Sequence, residues 1–557
     1  MESDLKTIIK NKFVRKCPDI DIYKERMEKE LDLIVKKNFV SYILQVREIL
    51  DLIGDIPHII RGSSGSSLVC WLLGITTIDP VQNSICFSRF LNEFRNSMPD
   101  IDMDFPHNQR NKIFEKIFSK WVNVVRISNY VTYKYKGAIK RALKEMGVVG
   151  KIEKSRCNLN YWKDKEKKKE LVKRVKEIKG KFKNYSLHCG GIIFFTNMAD
   201  MLKYKIVDRQ IMLDKFDVES EGFFKIDILA NRGLAQLVKI DTKSLDKYDF
   251  QDKKTIELLC SGNNIGITFG ESPGMRKIFS TLKPKSVLDV AKCLALIRPG
   301  ATSEQADTID DLDNEIIFDD DAIKYIQNLL GCSESKADSI RRLYSKGNSI
   351  EIGQFELELY DKNESLDIDS ISSKLINLKK YSFCKSHALS YAYLVWALAW
   401  QKANNPKEFW KSTLANTHSM YRKWVHIREA ICSGVKISCD DTLDDLTHFY
   451  KYGFWLGKDF IDNLRMYVNI TGDKRTRLEC EFRGLIATSK YYKKYNNKTK
   501  SYDLITFITI GYSNQVYIDL VVKGWVKTKH KNICSGKGLI KITKDYASIN
   551  VDFIEYK

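Results

Sequence analysis

The sequence has few prolines, no closely spaced cysteine pair and no apolar segment long enough to cross a membrane. Nine Pro in 557 residues leave little room for extended linkers. The nearest two of its 13 Cys, Cys432 and Cys439, are too far apart for a Cys-X-X-Cys zinc or redox motif. The longest apolar run, Ala388–Trp400, is interrupted by Ser390 and is shorter than a bilayer span. These features exclude a disulfide-stabilised secreted protein and a membrane protein.

Basic residues outnumber acidic residues. Lys and Arg total 92 against 71 Asp and Glu, which gives a formal net charge of +21 and a pI near 9.2. Such a surplus favours polyanion partners, because basic side chains that neutralise phosphates release condensed counterions. A Lys-rich composition that merely aids solubility is the alternative. Since Met1–Lys16 is charged and has no signal-peptide core, we expect a soluble intracellular protein.

Hydrophobic periodicity predicts mixed helical and extended segments in the first 235 residues. The expected elements are a helix at 21–53, a strand at 56–60, a Gly/Ser-rich turn at 61–67, a helix at 68–73, an acidic strand at 99–105 and strands at 192–195 and 223–229. Residues 163–183 contain 11 Lys or Arg against 4 acidic residues, which predicts an exposed basic helix or pair of helices.

Beyond residue 235 the pattern becomes mainly helical and then, in the last 80 residues, extended. An acid-rich stretch at 304–321 is expected to be a solvated surface rather than a metal site. Residues 479–553 contain runs rich in Ile, Val, Tyr and Phe with turn signals between them. About five short strands in this span suit a small barrel of the oligonucleotide-binding kind.

Three aspartates alternate with apolar residues in the acidic strand. Side chains two apart on a strand share a face, so Asp100, Asp102 and Asp104 point one way and the residues between them point into a core. Crowded carboxylates repel one another unless cations neutralise them, and magnesium prefers such oxygen ligands. Isolated Asp-X-Asp-X-Asp runs are often calcium loops or solvated edges, but no Gly interrupts this run, so the calcium-loop pattern fails.

A fourth aspartate lies in a distant apolar strand. Asp227 shares a face with Lys225, and its other neighbours are apolar, so burial of its charge needs a counter-charge or a metal. Two metal ions bridged by Asp227 and the aspartates of the acidic strand would activate a hydroxyl nucleophile and stabilise a pyrophosphate leaving group.

The turn at 61–67 consists of Gly and Ser after Arg61 and joins a strand to a helix. Such a stretch is often a plain linker. Between two apolar elements, however, it exposes backbone N–H groups, which together with the helix dipole can hold a triphosphate. It matches neither a Walker A loop nor a dinucleotide-binding fingerprint.

Short motifs in a fixed order resemble a known family. In order they are Arg61-Gly62-Ser63, Phe90-Leu91-Asn92, residues 99–105, His188-Cys189-Gly190-Gly191, residues 214–219, Lys225-Ile226-Asp227, and residues 271–275, 296–300, 337–342 and 383–392. The series resembles family C DNA polymerases, the bacterial DNA polymerase III alpha subunits, over residues 20–415. It implies an α+β multidomain fold with a polymerase-beta-like nucleotidyltransferase palm, a helical thumb and fingers, and a C-terminal OB-like β-barrel.

The resemblance also implies roles for individual residues. Asp100, Asp102 and Asp227 match the family's catalytic, metal-binding aspartates, and two Mg²⁺ ions are the implied cofactors. The residues that match nucleotide-binding positions are Arg61, Gly62, Ser63, Arg89, Lys225, Arg341 and Arg342. Further candidates are Asp104, His188, Lys385 and His387, of which the last two can equally be packing residues at a helix start. Each basic residue, taken alone, is also open to interpretation as an ordinary surface charge.

The implied domains are a palm at 1–125 and 187–235, a thumb at 126–186, fingers at 236–430, a reduced connecting or duplex-binding region at 431–478 and an OB-like domain at 479–557. The expected partners are primer-template DNA, deoxynucleoside triphosphates and, at the C-terminal domain, the single-stranded template. A sliding clamp or another replisome protein is a further candidate, although no convincing clamp-binding peptide is present. The implied location is the cytoplasm of a bacterium or of a phage-infected cell.

Several features depart from the family pattern. No counterpart of the family's N-terminal phosphoesterase domain is recognised, so proofreading by that domain is not expected. Leu187 replaces a usual Lys, and Thr268-Phe269-Gly270 replaces the usual Phe-Gln-X, which puts nucleotide affinity or fidelity in doubt. The predicted activity is that of a DNA-directed DNA polymerase, phage-encoded or accessory. The alternatives are an inert DNA-binding scaffold derived from a polymerase and a nucleotidyltransferase that needs no template.

Overall fold

The computed structural model of the protein describes residues 2–18, 20–94, 99, 101–148, 150, 164–297, 309–312, 316–346, 349–362, 367, 371–372, 375, 383–416, 419–435, 477–496, 501–513, 516–524, 533–542 and 547–556. Helices and strands alternate up to residue 231, helices dominate from 232 to 432, and strands follow from 477. The mixed α and β class expected from the sequence is confirmed. Within the described ranges, no helix is long and apolar enough to cross a membrane.

Three helices precede the first strand, α1 (Glu2–Lys16), α2 (Asp21–Lys36) and α3 (Val40–Ile53). The single helix expected at 21–53 is therefore wrong. Asn38 adopts a φ of 56°, which ends one helix before Phe39 leads into the next. Ile34 of α2 and Ile43 of α3 are fully buried and share one core with Met103 of the first sheet.

The first sheet has seven strands in the order β1-β2-β7-β4-β3-β6-β5. β1 runs antiparallel to β2, and β2 runs parallel to β7, which lies far along the chain. The alternation predicted for the acidic strand is confirmed over Ile101–Phe105, because Ile101, Met103 and Phe105 are buried in the core. The strands are β1 (Ile59–Arg61), β2 (Ile101–Pro106), β3 (Val124–Thr132), β4 (Phe182–Phe194), β5 (Ile206–Val207), β6 (Gln210–Ile211) and β7 (Lys225–Asn231).

The described part of the insertion between β3 and β4 contains two helices, which pack against each other through Ala138, Leu143 and Leu171. Because β3 reaches Thr132 and β4 begins at Phe182, the helical part is shorter than residues 126–186. The basic helix expected at 163–183 is confirmed as α7, whose Lys side chains are mostly exposed. The helices of this region are α4 (Leu68–Leu72), α5 (Arg110–Lys120), α6 (Tyr135–Glu145), α7 (Lys165–Ile178), α8 (Met198–Met201) and α9 (Lys215–Ser220).

A second core lies among the helices beyond β7. Its central member is α17 (Lys385–Asn404), which is apolar on nearly all sides. Leu394, Trp396 and Leu398 are fully buried, as expected for a helix surrounded by other helices. α17 contacts α11, α13 and β1, so it joins this region to the first sheet. The helices are α10 (Arg232–Val238), α11 (Lys253–Ser261), α12 (Pro273–Leu282), α13 (Val287–Leu296), α14 (Asp319–Leu330), α15 (Glu334–Lys346), α16 (Ser349–Lys362), α17 (Lys385–Asn404), α18 (Pro406–Ala415) and α19 (Lys423–Cys432).

The acid-rich stretch at 304–321 does not end on a solvated surface, contrary to expectation. Asp319 and Asp320 begin α14 and are fully buried, while residues 304–308 and 313–315 lie outside the described residues. Asp319 pairs with Arg89, and Asp320 accepts a backbone N–H bond from Cys86. The expectation failed because the number of acidic residues in a stretch does not reveal which hydrogen-bond donors lie near them in the folded chain.

The last five strands form a second sheet. β8 (Arg477–Asn496), β9 (Ser501–Ser513), β10 (Val516–Lys523), β11 (Ile533–Ile542) and β12 (Ala547–Tyr556) pair in a ring, in the order β10-β12-β11-β8-β9, and so close a barrel. Its interior holds Phe482, Ile510 and Leu520. Most of the reduced region expected at 431–478, namely residues 436–476, lies outside the described residues.

Candidate active site

Two aspartates lie side by side on neighbouring strands of the first sheet. β2 and β7 pair in parallel with Asp102 directly opposite Asp227, and residues paired in this way share a face of the sheet. The side chains of Asp102 and Asp227 are 23% and 9% exposed. The structure therefore brings these two predicted acids together, whereas Asp100 lies outside the described residues.

The acids belong to a row of residues that crosses four strands, the carboxylate row. Arg61 of β1 is in register with Asp102, and Gly191 of β4 is in register with Asp227. Arg61 Nε is 3.4 Å from Asp102 Oδ2, and Lys225 Nζ is 2.8 Å from Asp227 Oδ2. One oxygen of each acid thus lies close to a basic side chain.

The other oxygen of each acid, Oδ1, is buried without a hydrogen-bond donor in the described structure. Burial above all, and then the carboxylate of Asp227, raise the pKa of Asp102 to about 7, against the opposing effect of Arg61 and Lys225. Two carboxylates so close together require a shared proton or a cation.

Oxygen ligands of this kind suit Mg²⁺, so the pair fits part of a magnesium site. Among the residues that the structure describes, no group of three or more His, Cys, Asp or Glu is arranged to hold a metal ion. Asp102 and Asp227 would therefore supply two ligands, and water or substrate oxygens would supply others.

His188 lies next to Asp227 without forming an ion pair with it. Its Nδ1 accepts N–H bonds from Gly191 at 2.8 Å and from Gly190 at 3.3 Å, so we assign the ring proton to Nε2. The contact of 3.6 Å between Nδ1 and Asp227 Oδ1 then joins two acceptors. A Cβ at Gly191 would lie 2.8 Å from Nδ1, so only glycine fits there. His188 thus shapes the β4 backbone beside the acids.

Family models match the part of the chain that contains this site. Residues 2–230 match the model of the bacterial DNA polymerase III alpha NTPase domain, and residues 230–312 match that of the bacterial DNA polymerase III alpha subunit finger domain. The chain belongs to the bacterial DNA polymerase III alpha family.

Individual relatives agree with this family. The chain is 26% identical over 485 residues to the DNA polymerase III subunit alpha of Bacillus subtilis (strain 168), covering 74% of this chain and 43% of that protein. It is 28% identical over 501 residues to the subunit of Mycoplasma genitalium, covering 78% and 57%. It is 26% identical over 491 residues to the error-prone DNA polymerase of Dechloromonas aromatica, covering 75% and 47%. The chain spans about half the length of the curated relatives it matches.

In this member of the polymerase III alpha family, hydrogen bonds engage Asp104. Its Oδ2 accepts bonds from Tyr391 Oη at 2.6 Å and from Asn231 Nδ2 at 2.9 Å, and its Oδ1 lies 3.7 Å from Arg61 Nε. Asp104 therefore fits a role in positioning Arg61 better than one as a metal ligand. Sequence reasoning gave no role to Tyr391 or Asn231, and the available signal was the spacing of Tyr391 one helical turn after His387.

The Gly/Ser turn is hydrogen-bonded to the start of α17. Gly62 has a φ of 82°, a conformation that favours glycine. Its N–H donates to His387 Nδ1 at 3.2 Å, and its carbonyl accepts from Ser386 Oγ at 2.8 Å. Ser63 begins the short 3₁₀ turn that follows. His387 thus contacts the predicted nucleotide-binding turn directly.

The helix after this turn does not offer its N-terminus to a phosphate, contrary to expectation. The carboxylate of Glu30, which is fully buried, accepts the N–H bonds of Leu68 at 3.0 Å and Val69 at 3.1 Å. Ser67 Oγ also donates to Glu30, at 2.7 Å. A carboxylate from α2 therefore occupies the anion position at the start of α4.

Three arginines expected to bind the nucleotide form a charged joint with two aspartates. The joint consists of Arg89, Asp319, Asp338, Arg341 and Arg342. Arg89 Nε is 2.6 Å from Asp319, and Arg341 lies 3.2 Å from Asp319 and 2.8 Å from Asp338. Arg342 is 2.7 Å from Asp338. The Arg341 side chain is only 4% exposed and is paired within the fold, and its predicted contact with the nucleotide stays a prediction. These buried pairs connect the segment before β2 to α14 and α15.

Lys385 also lies beside this joint rather than in the carboxylate row. Its backbone N–H donates to Asp320 Oδ2 at 3.3 Å. Burial lowers the pKa of its ammonium group, although the nearby carboxylates of Asp321 and Asp320 oppose this effect. The interpretation of Lys385 as a packing residue at a helix start fits this position.

Proposed function

We propose that the chain is a template-directed DNA polymerase, which extends the 3′ end of a primer with deoxynucleoside triphosphates during DNA replication. The observation that carries the proposal is the pair Asp102 and Asp227, held in register with one oxygen of each left without a donor. Membership of the polymerase III alpha family supports the same class of reaction.

Asp102 and Asp227, together with Asp100 of the same motif, would hold two Mg²⁺ ions. When bound, the ions lower the pKa of the primer 3′-hydroxyl and neutralise charge on the leaving pyrophosphate. Arg61 and Lys225 lie beside the Oδ2 atoms of Asp102 and Asp227, where their charges would attract and orient a triphosphate. Gly62 and Ser63 are proposed to border the triphosphate beside Arg61.

The proposed domains keep the bounds expected from the sequence. Residues 1–125 and 187–235 form the palm, 236–430 the fingers and 431–478 the connecting region. Residues 126–186 form a thumb, in which α7 presents a row of lysines, Lys165, Lys168, Lys169, Lys173 and Lys176. Such a row suits contacts with duplex phosphates, which position a protein without reading sequence.

Residues 479–557 form the proposed OB-like domain for the single-stranded template. Tyr491, Tyr492 and Phe507 are exposed large apolar side chains on β8 and β9. The rings of Tyr492 and Phe507 lie 5.7 Å apart, and exposed Lys490 is close in sequence. Exposed aromatic rings with neighbouring basic side chains suit base stacking combined with phosphate contacts.

The decisive experiment is extension of a primed DNA template with Mg²⁺ by the wild-type chain and by Asp102→Asn. We expect the substitution to abolish extension because it removes a metal-binding charge, and to leave DNA affinity, measured by fluorescence anisotropy, nearly unchanged. Asp200→Asn, which changes an exposed carboxylate on α8, is the matched control and should extend normally.

The alternatives give different outcomes in this assay. Retained extension by Asp102→Asn contradicts the catalytic assignment. A wild-type chain that binds DNA without extending it supports an inert scaffold. Products whose sequence does not follow the template indicate a nucleotidyltransferase that needs no template.

A further inference from the structure

Phe269 lies between α11 and α12 and is unusual in both backbone and side chain. Its φ of 70° is rare and unfavourable for a bulky residue, and the residue is 43% exposed. Glycine adopts this backbone conformation without strain. A large apolar ring held in such a place indicates that the ring itself has a role.

Contacts around the loop fix this conformation without using the ring. Lys402, buried near the end of α17, donates to the carbonyl of Ile265 at 2.8 Å. Thr268 Oγ1 donates to Gln236 at 2.8 Å, and Glu271 accepts a backbone N–H bond from within the loop at 2.9 Å. Strained residues persist where their surroundings over-determine them, and such residues concentrate at functional sites.

The ring does not complete the hydrophobic core. A cavity of about 90 Å³ lies beside it and is lined by polar groups that include Gln236, Thr413 and His426. Phe269 borders this cavity and remains exposed to solvent. Packing alone therefore does not account for the ring.

The ring also lies close to the carboxylate row. It meets Tyr391 edge-on, with the ring centroids 4.7 Å apart and the planes at 80°. Tyr391 in turn binds Asp104 through its hydroxyl at 2.6 Å, and Asp104 is two residues from Asp102 on β2. One aromatic side chain thus separates Phe269 from the acidic strand.

The triphosphate is proposed to lie at the carboxylate row. Because the sugar separates the base from the phosphates in a nucleotide, the base would lie to one side of the row, where the apolar ring of Phe269 is available.

We propose that Phe269, supported by Tyr391, stacks on the base of the incoming nucleotide and sets the preference of the site for large bases. This inference rests on the proposed polymerase function. Every base has a face that can stack on an aromatic ring, and purines cover the larger area, so purines gain most. Phe269 is therefore a specificity-determining residue.

Phe269→Gly tests the proposal, because glycine retains the positive φ and removes only the ring. We expect its melting temperature to equal or exceed that of the wild type. The measurement is the KM and kcat for each of the four deoxynucleoside triphosphates on matched templates. KM should rise about tenfold for purines and about threefold for pyrimidines, with kcat nearly unchanged.

A binding measurement supplies a second readout. The probe is 2-aminopurine deoxynucleoside triphosphate, added with Mg²⁺ to a complex of the chain and a dideoxy-terminated primer-template. We expect stacking on Phe269 to quench the fluorescence of the probe, and Phe269→Gly to reduce that quenching. Phe216→Ala removes an exposed ring from α9 and should leave both KM and quenching unchanged.

The possible outcomes separate this inference from the function on which it rests. An unchanged KM in Phe269→Gly, or an equal change for all four nucleotides with unchanged quenching, overturns the stacking role. Failure of the wild-type chain to extend any primed template instead overturns the polymerase function, and the stacking proposal with it.

Discussion

The carboxylate row and the charged joint both bury charged groups, but the two sites differ in how completely these groups are paired. In the joint, Asp319 and Asp338 each lie beside two arginines. In the row, Asp102 and Asp227 each keep one buried oxygen without a donor. Buried charges that pair with one another hold segments of the chain together, whereas buried carboxylates that are incompletely paired leave a position for a cation.

The largest effect should come from Asp227→Asn, which removes one of the two repelling carboxylates. We expect Mg²⁺-dependent extension to fall by about 10³-fold. The melting temperature should change little, because relief of the like-charge contact offsets the loss of the ion pair with Lys225. Single-turnover kinetics and calorimetry measure the two effects. Lower stability combined with normal extension would show that this acid behaves like those of the joint.

Asp338→Ala should have the opposite result. It leaves Arg341 buried with fewer counter-charges, and we expect the free energy of unfolding to fall by about 3–5 kcal/mol. The rate of extension per folded molecule should not change. Urea unfolding measures the loss. Glu170→Ala is the control, because its ion pair with Arg174 is exposed, at 50% and 37%, and its loss should cost about 1 kcal/mol or less. Equal losses in the two variants would contradict the importance of burial.

A smaller effect should appear in the pH dependence of stability through Asp320, which lies beside the joint. Burial raises the pKa of Asp320 to about 6, from an unfolded value of about 4. Between these values the folded chain holds a proton that the unfolded chain has lost. Stability therefore falls as pH rises through this window, by at most about 1.4 kcal/mol per pH unit.

Urea unfolding of the wild type and of Asp320→Asn, measured from about pH 4 to about pH 7, isolates this contribution. The asparagine variant has no proton to lose at this position, so its slope should be less negative than that of the wild type. Identical slopes in the two proteins would rule out a raised pKa at Asp320.

The acids of the carboxylate row could be chosen from the sequence, because a charged side chain in an otherwise apolar strand is costly to bury. The period of two in β-strands also fixed the face on which Asp102 and Asp104 lie. The register of Asp102 with Asp227 could not be predicted in the same way. It depends on the parallel pairing of β2 with β7, and no local turn sets that pairing.

The joint was not predictable, because its partners lie far apart in the chain. Arg89 and Arg341 were matched to nucleotide-binding positions, yet both pair with Asp319. Glu30 caps α4 from another helix, which no capping pattern near residue 68 reveals. The positive φ of Phe269 likewise depends on tertiary contacts to its loop.

The strands of the carboxylate row have a consequence for the synthesis of the protein. β1, β2, β4 and β7 come from separate parts of the chain, and β7 is the last to leave the ribosome. A nascent chain released only as far as α7 carries Arg61 and Asp102 but lacks Asp227. Translation that stops within this stretch yields half of the proposed catalytic centre. Unfinished copies therefore lack the pairing of Asp102 with Asp227 until β7 has been made.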